Sequence, residues 1–323
     1  MATTVPAEST APARAFALPP TQVLVPAVLT VITFAALFAH PAKLLALDWW
    51  NNPEAGHGLL LFPVSLWFGY KSGIRKDAAP NMWLGIAIVL AAVLFRYAAD
   101  LASELFVMRG SMLMGLAGLV VFAYGFRQVL HWWLPFTLTA LSIPIPDVLL
   151  GAMALPLQFT ASKIGAALLE WRQIPVLLTG NVIRIPGQEL FVAEACSGLR
   201  SLTALISLGV LMGAMLLRHP ASRVLLIALT IPIAVAINGV RIFLTGFLVL
   251  FISPEFGEGF MHTSEGMIMF AIAFGIVGAV AWVLGRGEGW IYSKAERRSN
   301  NPKPPVPPSP VAVSPQVSGV SHA

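Results

Sequence analysis

Residues 222–252, SRVLLIALTIPIAVAINGVRIFLTGFLVLFI, carry one charge away from their edge, Arg241, in a run otherwise built of apolar and small uncharged residues. The run exceeds the about 20 apolar residues that take a helix across a bilayer. The rest of the chain has the same character. Of its 323 residues 57% are hydrophobic and 11% are charged, where a soluble globular domain has about a quarter charged. A single water-soluble core would leave large apolar areas exposed, so lipid has to serve as solvent. Similar stretches lie near 21–39, 56–70, 81–99, 105–126, 131–145, 197–217 and 264–285. Together with 222–252 they predict an all-α polytopic membrane protein of about eight transmembrane helices in one bundle. The stretches at 56–70 and 131–145 are short and hold Pro63 and Pro135, which suits tilted or broken helices.

The formal charge is +5, from 20 Lys and Arg against 15 Asp and Glu. Its distribution points to orientation in the membrane and away from a nucleic-acid partner. Lys71, Arg75, Lys76, Arg127, Arg218, Arg223, Arg286, Lys294, Arg297 and Arg298 all fall on one side of an eight-span layout. By the positive-inside rule that side, with both termini, is cytoplasmic. Asp48, Glu54, Asp100, Glu104, Asp147, Glu170, Glu189, Glu194, Glu255 and Glu258 fall on the other side. The lone Arg14 precedes the first stretch without a cleavage-site pattern, so the first span is expected to be retained. The layout divides the chain into a cytoplasmic segment 1–20, a transmembrane domain 21–285 and a proline-rich tail 286–323. The tail is expected to be cytoplasmic, and after residue 298 it is proline-rich, lacks apolar periodicity and is expected to be disordered.

The largest extracytoplasmic loop then runs from about 146 to 196. Residues 147–171 are moderately apolar, interrupted by Gln158, Ser162, Lys163 and Glu170, and suit an interfacial or re-entrant helix. Residues 176–195 form two β-prone runs parted by Pro186-Gly187, with alternation around Val182, Arg184, Leu190 and Val192. They predict a short β-hairpin before the sixth span.

The chain has one cysteine, Cys196, which excludes an internal disulfide framework and a structural zinc cluster. Its place in EACSGLRSL is the junction of the outer loop with the sixth span. A buried small hydrophobe is the plain reading of such a residue. At a helix N-terminus, however, unpaired backbone donors and the positive end of the dipole favour the nucleophilic thiolate. Ser197 and Gly198 offer backbone N–H groups to an oxyanion, and Arg200 adds positive charge one turn on, unless it serves a headgroup or loop carboxylate. A charge at the depth of Arg241 costs roughly 2.5 to 3.5 kcal/mol even on the lenient insertion scale, so it should face a polar cavity or a structural ion pair. Asn238 shares its face, and Gly239 is expected to loosen the helix locally. Arg96 has Asp100 at i+4, which accounts for it structurally.

His262, in FMHTSEGMIMF, starts the last span at the membrane level of Cys196, with Arg241 able to reach that level. A thiol, an imidazole and a fixed cation suit acyl transfer through a thioester. Glu265 stands at i+3 from His262, as a ring-orienting group or a solvated carboxylate. His57, between two glycines in DWWNNPEAGHGLLLFP, either lines the same cavity or makes a structural turn. No HExxH, GxSxG, P-loop or CxxC pattern is present, so no motif calls for a metal or other cofactor.

EACSGLRSL at 194–202, the NGVR segment ending at Arg241, and the isolated His262 followed by Gly266 resemble the three signature blocks of the exosortase and archaeosortase family. The GHG around His57 is similar to its N-terminal block, and the likeness spans roughly residues 45–285. The resemblance implies a prokaryotic membrane cysteine transpeptidase with its active site at the extracytoplasmic face. Its substrates would be membrane-anchored proteins ending in a short motif such as Pro-Glu-Pro, a transmembrane helix and a basic cluster. It further implies Cys196 as nucleophile, Arg241 as catalytic arginine and His262 as third member, histidine there marking the exosortase branch. The acyl acceptor is left unspecified. The alternatives are a transporter, with Arg241 and the outer acidic residues lining a path, or a non-enzymatic component of polysaccharide export. Inverted repeats, the usual sequence mark of a transporter, are not evident.

Overall fold

The computed structural model describes residues 21–52, 55–191, 198–253, 256 and 259–299. In lipid each backbone polar group has to be satisfied within its own segment, and the chain is accordingly mostly helical. The helices are α1 (Thr21–Asn51), α2 (Gly58–Ser72), α3 (Met82–Leu101), α4 (Leu105–Tyr124), α5 (Phe126–His131), α6 (Trp133–Leu141), α7 (Asp147–Trp171), α8 (Gly198–Leu216), α9 (Pro220–Phe251) and α10 (Gly259–Ser299). Between α7 and α8 lie three strands, β1 (Leu177–Thr179), β2 (Val182–Ile185) and β3 (Gln188–Phe191).

Among the described residues, six helices are long and apolar enough to cross a membrane: α1, α3, α4, α7, α9 and α10. Five of them match expected spans. The other three expected spans are shorter: α2 has 15 residues, α8 has 19, and the stretch at 131–145 breaks at Trp132 and ends at Leu141. The sixth long helix is α7, the segment expected to be interfacial or re-entrant. It is one 25-residue helix packed along α9. The polar residues that pointed elsewhere fit this arrangement, since Ser162 donates to the Gln158 carbonyl one turn back (2.8 Å) while Lys163 and Glu170 stay exposed.

Helix directions follow from the contacts. Gly239 of α9 meets Ile164 and Ala161 of α7, and Gly246 meets Leu169, so α7 and α9 run parallel. Gly209 of α8 meets Thr230 and Gly213 meets Arg223, so α8 runs against α9. The Arg223 guanidinium lies 5.5 Å from the Trp133 ring, which puts the start of α6 beside the start of α9. The end of α7 sits beside the last turns of α9. Pro144 and Pro146 lie in the break between α6 and α7, where the lost backbone bonds exclude a continuous helix.

The β-region is a three-stranded antiparallel sheet in the order β1-β2-β3, where a two-stranded hairpin was expected. Register pairs Thr179 with Val182 and Ile185 with Gln188. Each turn is closed by a glycine in the left-handed region, Gly180 (φ 66°) and Gly187 (φ 78°), a conformation that glycine adopts without steric cost. Ile183, Ile185 and Leu190 turn inward onto Ala166 and Leu169 of α7 and Ile242 and Val249 of α9. Arg184 and Glu189 stay outside, paired at 2.8 Å. The sheet thus caps the α7–α9 pair.

The opposite end of the bundle is closed by polar contacts. Buried Glu288 of α10 accepts from the N–H groups of Arg218 (2.8 Å) and His219 (3.0 Å), and Arg223 donates twice to the Leu217 carbonyl. Helix α10 then continues to Ser299, past residue 285, where the last span was expected to end. Arg286 stacks over Trp282 and Lys294 over Trp290, each one turn on, which favours helix in this basic segment. Residues 300–323, like 1–20, lie outside the described residues.

Candidate functional site

Three helix segments converge at the sheet-capped end: the start of α8, the last third of α9 and the start of α10. Arg241 is buried, 8% exposed, on α9. Its guanidinium lies directly on Gly266 of α10, where a Cβ would stand 3.0 Å from Nη2 and 3.2 Å from Cζ. A side chain at 266 would make the guanidinium give by a few tenths of an ångström or more, so the glycine lets the cation lie directly on the α10 backbone. Thr245, one turn beyond Arg241, places Oγ1 2.8 and 3.0 Å from the two carboxylate oxygens of Glu265. It is also 3.0 Å from the Arg241 carbonyl, but its single proton goes to the charged acceptor, which makes the stronger bond. Glu265 is half-buried and lies within the electrostatic reach of Arg241. Of the two expectations for Glu265, then, the solvated carboxylate does not hold: the residue is bonded to α9.

His262 lies in the first turn of α10, three residues before Glu265 and four before Gly266, so Arg241 is packed within one helical turn of it. Nothing is described of the His262 side chain. Cys196 and Ser197 lie outside the described residues. Helix α8 begins two residues after Cys196, at Gly198, and carries Arg200 in its first turn. Strand β3 ends at Phe191, five residues before Cys196.

Gly239 does not loosen α9, which runs unbroken from Pro220 to Phe251. It is instead a packing point: a Cβ there would overlap Ile164, and one at Gly165 of α7 would overlap Ile242. This close crossing of α7 and α9 fixes the stretch that bears Asn238 and Arg241. Asn238 lies beside a cleft between α7, α8 and α9, whose other lining includes Gln158, Leu202 and Val235. His57 lies just before α2, with Nε2 3.2 Å from the Leu141 carbonyl at the end of α6. Beside it the Trp49 indole donates to the Ser142 carbonyl at 2.7 Å. These bonds tie the α1–α2 turn to the break between α6 and α7.

Two residues of consequence were missed. Thr245 stands at i+4 from Arg241, and that spacing was the available signal. Arg109 of α4 lies in an apolar run just as Arg241 does; it is 3% exposed and bonds Asp48 of α1 at 2.6 Å. Arg96 pairs with Asp100 at 3.4 Å, as expected.

A fixed, desolvated guanidinium against the first turns of α10 is suited to stabilising developing negative charge or to orienting a carbonyl. Among the described residues no group of three or more His, Cys, Asp or Glu is arranged to hold a metal ion. No curated protein and no solved structure matches the chain. The family model that does match, over residues 49–279, covers the α2–α6 pair, the sheet and the whole of this converging site. The chain belongs to the transmembrane exosortase family.

Proposed function

We propose that this exosortase-family protein is a membrane cysteine transpeptidase that cleaves the C-terminal sorting signal of exported, membrane-anchored proteins and passes their acyl group to a second nucleophile. The observation that carries the reading is the packing of Arg241 on Gly266, one turn from His262, at the bundle end where the helix following Cys196 begins. In the proposed reaction Cys196 Sγ attacks the scissile carbonyl, with His262 taking the thiol proton and the oxyanion forming near Arg241. The peptide C–N bond then breaks, and His262 returns the proton to the leaving amine. The acceptor attacks the resulting thioester, the C–S bond breaks and the thiol is restored.

The reading places the sheet end outside the cell. Arg75, Arg127, Arg218 and Arg223 gather toward the opposite end, and cytoplasmic loops carry the excess of Lys and Arg. Both termini, by the same rule, are cytoplasmic.

The test is processing of a co-expressed protein that ends in motif, transmembrane helix and basic cluster. Cys196→Ala should reach the membrane at the parental level and leave that protein uncleaved. Normal cleavage by the variant would remove Cys196 from the role of nucleophile.

A further inference from the structure

Helix α9 buries two threonines, Thr230 and Thr245, and their hydroxyls are used differently. Thr230 donates at 2.9 Å to the Leu226 carbonyl four residues back, a bond that satisfies a helical threonine within its own segment. Thr245, 1% exposed, has the same recourse in the Arg241 carbonyl at 3.0 Å. Yet both oxygens of Glu265 also stand within 3.0 Å of its Oγ1. The single hydroxyl proton goes to the charged acceptor.

Glu265 opens the apolar stretch of α10, where a carboxylate is costly unless it is bonded and its charge is opposed. Thr245 supplies a bond, and Arg241 opposes the charge. The four residues form one contact between the helices: Arg241 and Thr245, one turn apart on α9, face the consecutive Glu265 and Gly266 of α10. Behind Thr245, Gly246 packs on Leu169 of α7 and Leu190 of β3, so this turn of α9 is braced by the sheet. A glutamate side chain has several rotatable bonds to immobilise, and a hydroxyl on a braced turn limits them.

We propose that Thr245 is a positioning residue for the reaction: its hydroxyl holds the Glu265 carboxylate where that charge keeps the Arg241 guanidinium on Gly266. The proposal rests on the transpeptidase reading above and adds Thr245 and, through it, Glu265 to the residues that reading names.

The test is steady-state cleavage of the sorting-signal substrate by the full chain in lipid nanodiscs, expressed per folded molecule. Thr245→Val keeps the shape and removes the hydroxyl. It should lower kcat about tenfold with KM within twofold, because a displaced cation fails the transition state more than the bound substrate. Thr245→Ser and Thr230→Val should both stay within about twofold of the parent. Glu265→Gln should lose at least as much as Thr245→Val, and combining the two should add nothing, since the hydroxyl acts through that carboxylate. In an Arg241→Gln background, Thr245→Val should change kcat by less than about twofold. Parental kcat in Thr245→Val would overturn the proposal. So would the same tenfold loss with Arg241 already replaced, which would make the bond a tie between helices and nothing more. In either event an inactive Cys196→Ala leaves the transpeptidase reading standing, and an active one removes both.

Discussion

Arg109 and Arg241 are both buried arginines in apolar helices, 3% and 8% exposed, and their settings differ. Arg109 joins α4 to α1 through a 2.6 Å bond to Asp48, a partner 61 residues away that neutralises it. Arg241 lies across a glycine of α10, next to Glu265, which also accepts from Thr245. The first arrangement spends the charge on joining helices. The second sets the cation against a surface without side-chain bulk, next to the helix start that bears His262. Burial alone does not tell the proposed catalytic Arg241 from Arg109; what the neighbouring helix presents to each guanidinium differs.

Substitutions should divide along this line. Arg241→Gln is expected to lower kcat about 10²- to 10³-fold, the usual loss when one oxyanion donor is removed, while the protein accumulates in the membrane normally. Arg241→Lys should not restore the rate, because a compact ammonium does not reproduce a planar fork. If processing survives either change, the contrast between the two arginines fails. Gly266→Leu is expected to push the guanidinium aside and to cost up to about 10²-fold in kcat, with Gly266→Ala milder. Equal activity for all three residues at 266 would show that the close approach is incidental.

Arg109→Met should do the reverse. With Asp48 partly exposed, the loss is about 1–3 kcal/mol, between the values for exposed and fully buried pairs, and is read as a lower thermal midpoint. Turnover per folded molecule should stay within about twofold. The double variant with Asp48→Asn should recover much of the stability, because no charge is then left unpaired. A loss of turnover per molecule would instead place Arg109 in the reaction.

Much of the helical layout was legible because lipid imposes a simple rule, and the runs holding α1, α3, α4, α9 and α10 obey it. Residues 147–171 were harder to read. Their polar residues looked like interruptions in the sequence, but Ser162 is satisfied by its own helix and Gln158 opens onto a cleft, which only the packing reveals. The first strand was absorbed into one β-prone run, although Thr179-Gly180-Asn181 carries turn chemistry of its own. Gly239 was legible as unusual but not as a packing point, since its partners lie 75 or more residues away on α7. The depth of Arg241 was evident from the apolar run around it. The identity of what it touches was not, because a single sequence does not say which helix face meets which.

The central claim, acyl transfer through Cys196, is tested most directly by mass analysis of the purified protein incubated with substrate in the absence of an acceptor. The account predicts that the peptide containing Cys196 gains the mass of the substrate's acyl fragment, and that hydroxylamine removes it, as expected of a thioester. Turnover at the full rate with Cys196 never modified and no response to hydroxylamine would contradict it.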